Sequence, residues 1–134
     1  MSELDETLYQ RVGGYDAVAA ATDDLLGRLL KDPLLKDYWK GKSEVSLRKD
    51  RQLIVDFLAS AAGGPAFYTG RDMKTAHTGI GITEREWELF LDHARATLNH
   101  LHVAPREQDD VLDFLSGLKA DVVEPQAVAS VDVA

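Results

Sequence analysis

The 134-residue chain has no cysteine, only 4 prolines, and 7% aromatic residues. Lack of cysteine excludes disulfides, thiolate zinc sites, iron–sulfur clusters and cysteine nucleophiles at once. Long apolar runs are missing as well: no stretch approaches the ~20 residues that span a bilayer. The start, MSELDETLYQ, is acidic where a secretory signal is basic and then apolar. Positive charge is scarce, with 15 Lys+Arg against 23 Asp+Glu and a net charge of −8. Such a chain repels a phosphate backbone. Arg48, Lys49 and Arg51, interrupted by Asp50, come nearest to a basic cluster and read as a solvated helix face. The expectation is therefore a cytoplasmic protein with neither nucleic acid nor membrane as partner.

What is there is helical periodicity over a length that suits one domain. With 45% apolar and 28% charged residues, a chain of this size can bury roughly two-thirds of its unfolded surface. Leu4, Leu8 and Val12 mark a short opening segment stopped by Gly13-Gly14. Val18, Thr22, Leu25, Leu26, Leu29 and Leu30 form one stripe of a helix over 15–31. Asp32-Pro33 stops it, and a short helix runs on to about Trp39. Ser43 or Ser46 can cap the next helix, whose stripe includes Leu47, Arg51, Ile54, Val55, Phe57, Leu58 and Ala61 and which Gly63-Gly64-Pro65 ends. Thr83-Glu84-Arg85-Glu86 reads as a capping box before a helix carrying Trp87, Phe90, Leu91, Ala94, Thr97, Leu98 and Leu101. Pro105 opens a last helix with Val111, Leu112, Phe114, Leu115, Leu118 and Val122 on its apolar side, ended by Pro125. No β alternation or internal repeat appears. The class is all-α, with a domain over 1–124 and a frayed, disordered tail over 125–134.

Of the four histidines, His93 lies mid-helix as a surface or rim residue, and His100 and His102 suit a helix C-terminus. His77 differs. It ends a short helical stretch from Asp72 and is followed at once by Gly79-Ile80-Gly81-Ile82. A satisfied structural histidine and an axial ligand both fit that placement. A ligand would need a neutral imidazole, apolar surroundings and a partner for its second nitrogen.

The order of segments narrows the choice. Leu8-Tyr9-Gln10-Arg11-Val12-Gly13-Gly14, the run Gly63 to Met73 (GGPAFYTGRDM), and Ala76-His77-Thr78-Gly79-Ile80-Gly81-Ile82-Thr83 together resemble a truncated haemoglobin of group I, over residues 7 to about 123. The resemblance implies a two-over-two helical sandwich around haem b (iron protoporphyrin IX), with His77 as the iron's metal ligand. Matching positions put Trp39 flat on the haem and Leu47, Ile54, Phe57 and Leu58 on the distal helix. Tyr68, Met73, Ile82, Trp87 and Phe90 would line the proximal side and rim. Lys74 and Arg71 could meet the haem carboxylates or remain solvated charges. A haem also accounts for large apolar residues in a Gly-rich loop, since an unfilled space there would cost about 24 cal/mol per Å³.

The chain departs from the family on the distal side. Many members place a Tyr in the first long helix and a Gln across from it. Here Leu26 stands at the first position and Ile54 at the second, with Asp50 nearest the ligand. Gln52 is rotated about 200° from Ile54 and should face elsewhere. Asp50 should avoid burial as a bare carboxylate, and Arg51 could reach a haem carboxylate or a bound anion. A missing hydrogen bond to bound dioxygen forgoes about 1.5–3 kcal/mol, roughly 10–100-fold in affinity.

Two classes of function follow. The first is reversible binding of O2, NO or CO at a mostly apolar distal pocket. Its enzymatic variants, NO dioxygenation or a peroxidase-like activity, would need an external reductase, because no dinucleotide-binding motif is present. The second is a gas- or redox-sensing interaction module on the same fold. The expected assembly is a monomer or weak homodimer.

Overall fold

Local signals place the helix ends. A computed structural model describes residues 6–124, among which α1 spans Leu8–Val12, α2 Tyr15–Lys31, α3 Glu44–Ala61, α4 Met73–His77, α5 Glu84–His100, α6 Pro105–Ser116 and α7 Lys119–Val122. A 3-10 turn, Lys36–Trp39, stands where a short helix was expected. Leu4 and the tail 125–134 lie outside the described residues. Thr7 and Gln10 form a capping box on α1, and Thr83 and Glu86 form the expected one on α5. Of the two candidate serines, Ser43 caps α3, its hydroxyl accepting from the Ser46 N–H at 3.1 Å. Each cap satisfies N–H groups that the first helical turn leaves without partners.

The stretch from Pro105 to Val122 is two helices, not the single one expected. Gly117 is the break: its N–H reaches back to the carbonyls of Asp113, Leu115 and Phe114, tightening the last turn of α6. Leu118 then takes φ −87°, ψ −9° and starts a new direction. The gain is tertiary, because α7 buries Val122 and packs on α4.

The helices form a two-over-two sandwich. α2 packs on both α3 and α5, α5 packs on α6, and α1 bridges α2 and α6. The tightest corner lies between α2 and α3, where Val18, Val55 and Ala59 are buried and Tyr9, Val12, Ala19, Leu58 and Ala66 close around them. There the Tyr9 N–H donates to the Ala62 carbonyl at 2.9 Å, and the Tyr9 ring lies against Gly64. A Cβ at Gly64 would come within 2.5 Å of the ring, so glycine here makes room for the aromatic lid. Outside that corner Leu29, Leu35, Trp87, Ala94, Leu98, Leu115 and Val122 are buried as well. Among the described residues the largest side chains with under 2% exposure are only Val55 and Thr22.

Candidate functional site

α4 is five residues long, too short to be stable by its own hydrogen bonds. It is fixed first at its start, where the Asp72 carboxylate accepts from the Thr75 N–H at 3.3 Å. That bonding, from the Thr75 side chain and then its backbone, holds the Asp72 carboxyl below the usual carboxylate range. At the other end His77 is half-buried, and its Nδ1 lies 2.7 Å from the Met73 carbonyl. A carbonyl can only accept, so Nδ1 carries a proton, and in the neutral ring Nε2 presents a lone pair. This is the tautomer a metal-bound imidazole requires. Among the described residues no three histidine, aspartate or glutamate side chains gather into a metal-binding group. His77 would offer a bound group one imidazole nitrogen, which suits a macrocycle that brings its own ligands.

The apolar residues assigned from the sequence are mostly left half-buried by protein contacts: Leu26, Trp39, Leu47, Ile54, Phe57, Leu58, Tyr68, Met73, Ile82 and Phe90. Trp87 alone among them is buried, at 5% exposure, with its ring 5.2 Å from that of Phe90. Phe57 meets Tyr68 edge-on at 5.3 Å and lies 6.1 Å from Phe114, joining α3 to the loop behind it and to α6. The Tyr68 hydroxyl donates to the Arg71 carbonyl, and burial raises its pKa. Leu58 packs with the buried trio of the α2–α3 corner. Arg71 and Lys74 are exposed on either side of the start of α4.

Trp39 touches Tyr38 edge-on, with ring centres 6.5 Å apart. The Tyr38 hydroxyl donates to the Glu86 carboxylate at 2.7 Å, and the same oxygen accepts from the Thr83 N–H at 2.9 Å. The α5 cap therefore also anchors the 3-10 turn. Burial first, then Glu86, pushes the Tyr38 phenol up to about 12. Sequence reasoning read Glu86 only as a capping residue and missed this second duty.

On α3, Leu47, Asp50, Ile54, Phe57 and Leu58 fall within an arc of about 100° at 100° per residue. Gln52 is well away from it. Its amide donates to the Tyr15 hydroxyl at 3.1 Å and to Asp56 at 3.0 Å. Asp50 is not a bare carboxylate, because Lys42 Nζ sits 2.8 Å from its Oδ2. Arg51 has a partner within the protein: its guanidinium forks onto Asp23 of α2 at 2.6 and 3.0 Å. This ion pair raises the Arg51 pKa and lowers that of Asp23. His93 is likewise more than a rim residue: its Nε2 lies 2.6 Å from Asp32 Oδ2, tying α5 to the end of α2. Its signal in the sequence was slight, since the partner lies 61 residues away.

Residues 7–124 match the family model described as bacterial-like globin. A group 1 truncated haemoglobin of Mycolicibacterium paratuberculosis is 30% identical over 121 residues, covering 90% of this chain and 87% of its own length. One from a Synechocystis species is 32% identical over 101 residues, covering 72% and 79%. The 2/2 haemoglobin of a Synechococcus species, solved in the cyanomet state with covalently attached haem, superposes with a TM-score of 0.80 at 26% identity, over 88% of this chain and 98% of that one. The ferric truncated haemoglobin of Tetrahymena pyriformis gives 0.81 at 24% identity over the same shares. No described helix is long and apolar enough to cross a membrane.

Proposed function

Because the chain belongs to the bacterial-like globin family, and within it to the group 1 truncated haemoglobins, we propose that it holds haem b through His77 and takes up O2, NO or CO beside a mostly hydrocarbon distal wall. The residues present fit that group. The observation that carries the reading is the Nδ1–H bond from His77 to the Met73 carbonyl, which leaves Nε2 as the donor. The half-buried apolar side chains support it, since burying them against a flat hydrophobic partner would stabilise by ~25 cal/mol per Å². When bound, the haem supplies an iron position open to a diatomic ligand.

The chain's own residues set the terms. Met73 holds the His77 tautomer and ring orientation, and through them the basicity of the ligating nitrogen. Trp39, Trp87 and Phe90 exclude water. Leu26 and Ile54 offer a ligand no hydrogen-bond donor. Gln52, bonded to Tyr15 and Asp56, supplies none in their place. Lys42 pairs with the Asp50 charge near the start of α3. Arg71 and Lys74 are the candidates for the haem carboxylates. A polar bound ligand such as O2 leaves faster from such a wall, and CO is less affected. Keeping the iron ferrous falls to a separate reductase.

An absorption spectrum of the purified protein, ferric and ferrous, with and without CO, tests the reading. A Soret band is expected in the wild type, and its loss in His77→Ala. Unchanged pigment in that variant would remove His77 as the ligand, and a colourless wild type after haem supplementation would leave a haem-free interaction module.

A further inference from the structure

Glu124 is a carboxylate with 7% exposure, near the end of the described chain and outside every role given above. A buried carboxylate is costly unless it is hydrogen-bonded, so its partners carry information. Its Oε1 accepts from the Gly79 N–H at 2.5 Å, a charge-assisted bond across 45 residues. Its own N–H donates to the Ile82 carbonyl at 2.9 Å. One residue thus grips both ends of the segment that leaves His77 for α5.

That segment has little else to define it. Gly79 and Gly81 both sit at φ +83°, a left-handed conformation that glycine adopts freely in many loops. The Ile80 N–H reaches the His77 carbonyl at 3.3 Å, a long bond. α4 has five residues and its packing partner is α7, whose Val122 is buried just ahead of Glu124. The Asp72 cap fixes the front of α4. Its rear, where the imidazole is, is held from within by the Thr78 hydroxyl, which donates to the Lys74 carbonyl at 2.6 Å, and from outside by the Glu124 clasp.

We propose that Glu124 is a positioning residue for the imidazole of His77, clamping Gly79 and Ile82 so that the short helix presents Nε2 in one orientation. This rests on the reading of His77 as the haem ligand, and the test separates the two. In the full-length protein, Glu124→Ala removes the acceptor and Glu124→Gln keeps an amide oxygen in its place. In Glu124→Ala, amide exchange at Gly79 should accelerate about 10- to 100-fold, the size expected for a lost charge-assisted bond. Haem transfer to an excess of a competing apoglobin should quicken by about 10-fold, and the ferrous iron–histidine stretching band should shift or broaden. Glu124→Gln should restore all three to within about 3-fold of wild type. Should Glu124→Ala fail to fold, the near-isosteric Glu124→Met carries the same expectations. Unchanged exchange at Gly79 would dismiss the clasp. Faster exchange with unaltered haem transfer and stretching band would dismiss its action on His77. A wild type that takes up no haem would overturn the ligand reading, while the exchange arm still reported on the clasp.

Discussion

The α2–α3 corner and the α4 side of the molecule are built by opposite means. In the corner, Val18, Val55 and Ala59 are sealed by neighbouring side chains, and Tyr9 lies over Gly64. Protein closes on protein. Around α4 the apolar residues Met73, Ile82 and Phe90 stay half-buried, and position is held by discrete polar bonds from Asp72, Met73 and Glu124. The difference is one of means: side chains close the corner, whereas hydrogen bonds set α4, the side proposed above to receive a large flat partner.

The strongest way to break that contrast is to compare amide exchange with and without haem. Removing haem should unprotect α4 and the loop to Ile82, while α2 and α3 near Val55 change little. At a haem concentration ~1,000 times its dissociation constant, the added stability should be about 4 kcal/mol. Equal loss of protection in both halves would erase the distinction. Next in size is Leu26→Tyr, which places a hydroxyl donor on the distal wall. Oxygen release should slow roughly 10–100-fold by stopped flow, with CO release changing less.

Gly64→Ala addresses the corner. Crowding against the Tyr9 ring should cost about 1–3 kcal/mol in urea unfolding, alike with and without haem. The smallest effects belong to the tethers. The Tyr38 phenol is raised to about 12 in the folded chain from 10.0. Its contribution to stability is therefore complete below pH 10 and is lost as pH rises from 10 to about 12. Tyr38→Phe should lack that alkaline decline in a thermal melt. Arg51→Ala, which breaks a partly exposed ion pair with Asp23, should cost under about 1 kcal/mol and leave anion and oxygen off-rates unchanged.

Much of the frame was legible along the chain. Thr83 with Glu86, Ser43, the Gly-Gly stops and Asp32-Pro33 all act within three or four residues, where neighbours in sequence are neighbours in space. The break at Gly117 was not, because a single glycine inside an apolar stripe is tolerated in many helices. What decides it is the packing of α7 on α4. In the site, the place of His77 before Gly79 and Gly81 left a structural histidine and a ligand both open, and only the resemblance to the family chose between them. That Gln52 faces away from Ile54 was legible from helical rotation, and Gln52 indeed bonds Tyr15 and Asp56. The Arg51–Asp23 pair was not legible, since Asp23 comes from another helix 28 residues away.

The order of residues alone determined an all-α domain with a lone imidazole at the end of a short helix, because capping, periodicity and glycine stops are local. Tertiary structure decided that Arg51 serves Asp23, that His93 serves Asp32, and that Glu124 grips the loop. Each of these joins groups whose free energy depends on distance and burial, and only the folded chain sets those.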